Sequence, residues 1–581
     1  MKKKLVSMLL TFGMVTALFA GCGKNTEGGE STEVQNTEEG SEESKESESG
    51  TDAVESSVTE NSTSENNTPA NSDSDAIVGN IPVKFPIVDE PLTLKIMASV
   101  GTADYNDVYV WQKYEEMTGI NVDWVQMQGS EKGEKIAAAL STGDYADLIF
   151  RCRLSQETLT EYGEQGLIVD LNENNMLETY APNTWNYLQT HPDTLASVMS
   201  PDGKIYSLPQ VNSGAELRVS RKLFINKKWL ENVNMEVPAT TEELYQVLKA
   251  FKEQDANGNG DPDDEIPFCT QDWAGFQDVF LGAFGLGNRG QHNQIVDYDE
   301  ENNCVRLIGV QDEYKQMLEY MNRLYKEGLV DQELFSMDTA NWTTKANDDR
   351  IGVFAFTNLA SLPYSDHSDW IGIEEALEGP EGHKFWSPVR ANFHTVGNAV
   401  IPETCEHIPE VLQWLDYFWT DEGTLFYHYG IEGETFVAND DGTYDYSENV
   451  LSQVGDGASF DDVVSRYSPY PGGGNPTVEV APYFGGGEME EIPATAAKAL
   501  FEYRPDVIWP SFTFTSQESS ELNIIQTDIK KYIDAARTEF IVGSKSFDEW
   551  DSYVAAIENM NLETMLEIYQ AASDRFDALS N

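Results

Sequence analysis

One run of oxygen-bearing side chains has the composition of a site for a hard cation: Asp255-Ala-Asn-Gly-Asn-Gly-Asp-Pro-Asp-Asp-Glu-Ile-Pro267. Asp255, Asn257 and Asn259, followed by Gly260, reproduce the first six places of an EF-hand calcium loop. Ca²⁺ takes about six to eight oxygens, and alternate side chains can wrap one point while glycine permits the sharp turn. Asp261 could add its carbonyl. The twelfth place is Ile266, so the closing carboxylate must come early, from Asp263, Asp264 or Glu265. The competing reading is a solvated acidic turn.

Cys22 carries a second chemistry. Lys2, Lys3 and Lys4 precede an apolar stretch from Leu5 to Ala20 that is short for a membrane span and reads as a secretory signal. It ends in Leu18-Phe19-Ala20-Gly21-Cys22, small residues before a cysteine, which resembles a bacterial lipobox with Cys22 as the lipidated new N-terminus. Phe19 stands where that pattern usually has Leu. From Lys24 to Asn80 there is no aromatic residue, and 15 acids face two lysines, a net of −13. Such a stretch buries too little apolar surface to offset its ordering entropy and is expected to be a disordered tether.

With +3 in the leader, the remaining residues carry −53 of the total −63. That surplus of acid excludes nucleic acid and a polybasic membrane-surface role. The other cysteines, Cys152, Cys269, Cys304 and Cys405, have neither zinc spacing nor a disulfide-scaffold pattern; zero, one or two bridges stay open, with buried free thiols the favoured reading. Catalytic signatures are thin. There is no G-x-S-x-G, H-E-x-x-H or P-loop, and Gly472-Gly-Gly474 and Gly485-Gly-Gly487 lack the lysine a phosphate cradle needs.

The elements that must position these groups follow from periodicity. Leu92, Leu94 and Ile96 alternate as a strand; Val108, Trp111 and Met117 keep helical spacing; Ile120–Trp124 alternates again. A helix through Glu134 to Leu140, a turn at Gly143-Asp144 and the run Leu148-Ile149-Phe150 complete a strand–helix series. That series predicts a parallel or mixed sheet whose strand ends place ligands. Later segments read as helical: Asp312 to Gly328, a helix opened by the Thr515/Glu518 capping box, and two more around Trp550–Ile557 and Leu562–Phe576.

Glu134-Lys-Ile-Ala-Ala-Ala-Leu-Ser-Thr-Gly-Asp-Tyr-Ala-Asp-Leu-Ile-Phe150 resembles the "ASGDxPDxx" segment of extracellular solute-binding proteins, family 1, of ABC importers, with Ala146 where proline is common. Tyr162-Gly-Glu-Gln-Gly-Leu-Ile-Val-Asp-Leu171, Leu324-Tyr-Lys-Glu-Gly-Leu329, Phe540-Ile-Val-Gly and Trp550-Asp-Ser-Tyr553 are similar to later segments of the same family, especially its large LipO-type lipoproteins. The resemblance implies an α/β, two-lobed type 2 periplasmic-binding-protein fold with discontinuous lobes and a helical C-terminal region. It divides the chain into a signal peptide (1–21), a tether (22–88), a first lobe (89–216, with 395–435 returning) and a second lobe (217–394, with 436–581). Crossings are expected near Leu217 to Phe224 and Val396 to Pro402. The calcium loop would then pin part of the second lobe.

By the same resemblance, ligand candidates are Asp104, Asn106, Arg151 and Arg153 after strands of the first lobe, and Trp273, Asn358, Tyr364, Trp386 and Arg390 in loops of the second. The implied activity is capture of an oligosaccharide without catalysis, by a lipid-anchored monomer at the outer face of the cytoplasmic membrane. The implied partners are permease subunits that read lobe closure. A secreted carbohydrate-active enzyme, needing two facing carboxylates, and a sensor or adhesion lipoprotein on the same fold are the alternatives.

Overall fold

A computed structural model of the chain describes residues 80–581 apart from 102, 130, 144–145, 262, 360–361, 363–366, 441, 455–459, 470–472 and 581. Cys22, the leader and the tether up to residue 79 lie outside the described residues, as does Tyr364.

Two sheets organise the protein. In the first, the strand order is Val478–Val480, Leu208–Ser213, Phe393–Val400, Leu148–Phe150, Leu92–Ser99, Ile120–Met127. Leu92–Ser99 runs parallel to both of its neighbours, while Phe393–Val400 is antiparallel to both of its own. The second sheet has the order Trp370–Gly372, Lys222–Asn226, Ile351–Phe356, Ile266–Phe268. Each sheet anchors its own apolar core, one around Trp111, Phe150 and Trp414, the other around Trp229, Phe276 and Tyr553. The fold is therefore two-lobed α/β.

Local signals produced the predicted elements. Helix Tyr109–Thr118 buries Trp111 and Tyr114 against the first sheet. Helix Lys132–Thr142 buries Ile136 and Leu140 and ends at Gly143, whose φ of 75° closes the helix with a left-handed residue. Thr515 and Glu518 form the capping box that opens the 27-residue helix Ser516–Val542. That helix packs in the second core, yet Ser516 donates to Glu164 at 2.6 Å and Asn523 to Glu157 at 2.6 Å, both on a helix of the first lobe.

Chain crossings differ in part from expectation. Residues 214–221 carry the chain from the first sheet to the second, and 390–392 carry it back. Backbone bonds lace these two crossings together: Ser220 donates to Pro388 O at 3.0 Å and Arg390 to Arg218 O at 2.8 Å. A third crossing lies at 481–490. The stretch from 436 to 480, expected in the second lobe, packs in the first, because Phe436, Tyr446, Val463 and Val480 bury in its core and Val478–Val480 pairs with Leu208–Ser213. Residues 80–88, expected in the tether, also lie on the first lobe. Phe85 meets Tyr417 edge-on at 5.1 Å, and Ile81 exchanges hydrogen bonds with Asn183 at 2.7 and 3.0 Å. An aromatic and several aliphatic side chains give this segment the apolar surface that residues 24–79 lack.

Candidate functional site

A cavity of about 350 Å³ lies between the sheets. Thr395 of the first sheet forms one wall. The rest comes from the second lobe: Ser220 and Arg221 at a crossing, Ala274 and Asp278 on helix Trp273–Leu281, the loop Gly290–Gln294, and Phe356 and Thr357 at the end of a strand. Arg390, at the return crossing, completes it. Asp272 caps the helix by accepting from Gly275 N at 2.6 Å, and its other oxygen holds Arg221 at 3.0 Å. Arg221 also approaches Asp278 at 3.7 Å.

Asp278 is 7 % exposed, and burial pushes its pKa up to about 6 despite Arg221. For an acid raised in the folded state, stability is fully present below the ordinary pKa near 3.8 and is lost as pH rises through 6. The charged form thus costs about 3 kcal/mol at neutral pH. Asp278→Asn is expected to gain about 2 kcal/mol over the parent at pH 7.5, with the gain vanishing below pH 4. Urea unfolding across that range measures it, and a gain independent of pH would reject the burial argument.

Of the predicted ligand residues, Arg390 lines this cavity. Arg153 approaches it from the first lobe closely enough for the two guanidinium charges to oppose each other. Arg151 serves the framework instead. It is 4 % exposed and donates to the Tyr105 hydroxyl, to Pro469 O and to Gly473 O at 2.9 Å, pinning the loop before Asn475. Gly473 and Gly474, at φ 63° and 83°, lie under the Arg153 side chain; a Cβ on Gly473 would collide with its guanidinium and one on Gly474 would crowd it. These two glycines, from a run that lacks the features of a phosphate cradle, are thus a seat for arginine.

Asp104 and Asn106 are exposed, bind each other at 2.8 Å, and do not line the cavity. The Asp104 carboxyl is held below its usual range by hydrogen bonds from Gln126 and Asn106. Trp386 is a correction: it is 1 % exposed in the second core, its indole N–H donating to Arg221 O at 2.9 Å. Trp273 is half-buried with its ring stacked on Phe335 at 5.5 Å and the Arg537 guanidinium 4.4 Å away. It is therefore engaged within its lobe. Asn358 is half-buried just beyond Thr357. Sequence reasoning missed Arg221, Asp278 and the polar run Asn288-Arg-Gly-Gln-His-Asn-Gln294, whose density of amides around a glycine was the available signal.

The acidic loop joins helix Thr241–Glu253 to strand Ile266–Phe268. Asp255 Oδ2 accepts from Gly260 N at 3.0 Å, Asn257 Oδ1 from Asn259 N at 3.0 Å, and Asn259 Oδ1 from Asp261 N at 2.7 Å. Both asparagine amides donate to Asp264, at 3.1 and 2.9 Å, and Glu265 Oε1 accepts from Ala256 N at 2.9 Å. Asp255 Oδ1 and Glu265 Oε2 are buried without a partner among the described residues. A buried carboxylate oxygen left unpaired is costly unless a cation meets it, so the donor set fits a hard ion. Among the described residues no three acids, histidines or cysteines are grouped to hold a metal; this loop would supply asparagine oxygens beside two carboxylates. Asp263 and Asp261 are exposed.

Comparison with known proteins agrees with this architecture. The family of bacterial extracellular solute-binding proteins matches residues 101–424. FusA of Streptococcus pneumoniae, a fructooligosaccharide ABC transporter substrate-binding protein, is 27% identical over 522 residues, 86% of this chain and 93% of FusA. Lipoprotein LipO of Bacillus subtilis is 28% identical over 255 residues, 42% of this chain and 48% of LipO. The structure of an EF-hand mutant of S. pneumoniae FusA in complex with fructo-nystose superposes with a TM-score of 0.67 at 24% identity, covering 84% of this chain and 99% of that one. Two lobes joined by three crossings, a cavity between them and a family match over more than half of the sequence lead to one assignment: the chain belongs to the extracellular solute-binding proteins of ABC importers.

Proposed function

We propose that this protein captures an oligosaccharide between its lobes and delivers it to the permease subunits of an ABC importer, held at the outer membrane face by a lipid on Cys22. The observation that carries the reading is the 350 Å³ cavity walled by both lobes, with Ser220, Gln291, Gln294 and Thr395 offering polar groups and Phe356 an aromatic one. Sugar rings need that mixture, apolar faces against an aromatic and hydroxyls against fixed polar partners. Contact with both lobes at once favours the closed state. The relationship to FusA supports the substrate class.

A structural Ca²⁺ in loop 255–265 belongs to the same reading. Asp255, Asn257, Asn259 and Glu265 would hold it, with Asp264 orienting the two amides and Asp261 adding its carbonyl. Bound there, the ion neutralises buried carboxylates and fixes the loop to the second sheet, where Ile266 pairs with Ile351 and Arg350 donates to Asp264 O at 3.0 Å.

Calorimetry on the mature chain carrying Cys22→Ser, titrated with a panel of oligosaccharides, tests the function. Micromolar or tighter binding with the sugar recovered intact is the expected result. Silence across the panel, or turnover of the sugar, rejects it.

A further inference from the structure

The folded body carries −53, yet beyond about 10 Å such charge is largely screened at 0.1 M salt, so the groups at the cavity itself decide what it accepts. Its charged groups are unevenly paired. The Arg221 charge is met by Asp272 and Asp278. Lys222, next in the chain to the cavity-lining Arg221, is completely buried and, among the described residues, donates only to the carbonyls of Thr357, at 2.8 Å, and Glu216, at 3.4 Å. The Glu216 carboxylate is taken by Lys498 at 2.9 Å. Arg390 is mostly buried, lines the cavity and makes no side-chain ion pair or hydrogen bond among the described residues. Glu488 is the acid that acts most strongly on both cations, but it forms an ion pair with neither. Glu479 is occupied by Asn475 at 2.7 Å.

A guanidinium cannot shed its proton, and a charge removed from water requires a counter-charge. Lobe closure over a neutral sugar would bury Arg390 further and supply only hydroxyl dipoles. A carboxylate on the sugar would supply the charge and could accept two parallel N–H bonds. We propose that the cavity selects oligosaccharides bearing a carboxylate, which Arg390 receives with the buried Lys222 nearby. This rests on the reading of the protein as an oligosaccharide-capture component and names the class within it.

The test is calorimetry on the mature Cys22→Ser chain with trigalacturonate and sialyllactose, each against its neutral counterpart, galactotriose and lactose, alongside the wider neutral panel. At least one acidic sugar should bind about 10-fold or more tighter than its counterpart, the size of one charge-assisted contact. That preference should fall to within about 2-fold in Arg390→Gln and be partly retained in Arg390→Lys, which keeps the charge but not the fork. It should also weaken as salt rises. Melting curves confirm that each variant is folded, and the parent's preference is read without any variant. Equal or weaker binding of both acidic sugars overturns the inference while any neutral binding leaves oligosaccharide capture standing. Absence of binding by every sugar overturns both. A preference that survives Arg390→Gln overturns the assignment to Arg390.

Discussion

Chelation of calcium is expected to lower the melting temperature of the mature chain by roughly 5–10 °C, and readdition of Ca²⁺ to restore it. A ligand at about 100 times its dissociation constant stabilises the folded state by about 2.7 kcal/mol. For a body the size of one lobe, each kcal/mol moves the midpoint by about 2–4 °C. The loop leaves Asp255 Oδ1 and Glu265 Oε2 buried and unpaired, so removing the ion leaves two desolvated carboxylate oxygens facing nothing. Glu265→Gln should abolish the response to calcium, whereas Asp263→Asn, at an exposed carboxylate, should leave it nearly intact. Burial already pushes the Glu265 carboxyl above its ordinary pKa, so protons compete for it at higher pH than for a solvated glutamate. The calcium-dependent shift should therefore shrink on acidification. Differential scanning calorimetry with EGTA and then Ca²⁺ measures each of these, and a melting temperature indifferent to both reagents would reject the site.

Replacing Trp111 by alanine is expected to cost about 3–5 kcal/mol, the range for emptying a large aromatic site in a core. Trp111 is 3 % exposed and lies among Trp124 at 5.2 Å, Trp414 at 5.5 Å in a stacked pair, Tyr105 at 5.8 Å and Phe150 at 5.9 Å. These partners come from a turn, two strands and a distant helix, so no single element can collapse into the space. The effect should reach the cavity's approach as well, since Tyr105 holds Arg151 and Phe150 precedes it. Chemical denaturation gives the loss as a lower midpoint with an unchanged slope. A cost below about 1 kcal/mol would mean that the cluster repacks around the vacancy.

Residue order alone specified several of the elements that build the two lobes. The strand at Leu92–Ser99, the helix at Lys132–Thr142 and the box-capped helix at Ser516–Val542 each rest on periodicity and on caps a few residues apart, interactions whose partners the chain supplies locally. The acidic loop was legible for the same reason: its oxygens alternate within eleven residues, and one turn of chain brings them together. Even the choice among Asp263, Asp264 and Glu265 narrows only when the fold is known. Asp264 is consumed by two asparagine amides, and Glu265 alone of the three keeps a buried oxygen free.

Long-range pairing decided the rest. Val478–Val480 joins a strand more than 260 residues earlier, which moved 436–480 from the second lobe to the first, and nothing in its own spacing announces that partner. Trp386 and Arg390 stand four positions apart in one loop-like stretch and look alike as ligand candidates. The fold buries the first among apolar side chains and leaves the second in a cavity, without a carboxylate partner among the described residues. Sequence thus determined what can form from neighbours in the chain, the strands, helices, caps and acidic loop. Tertiary structure determined which charges are met and which are left over, because a counter-charge is a matter of distance in space and not of distance along the chain.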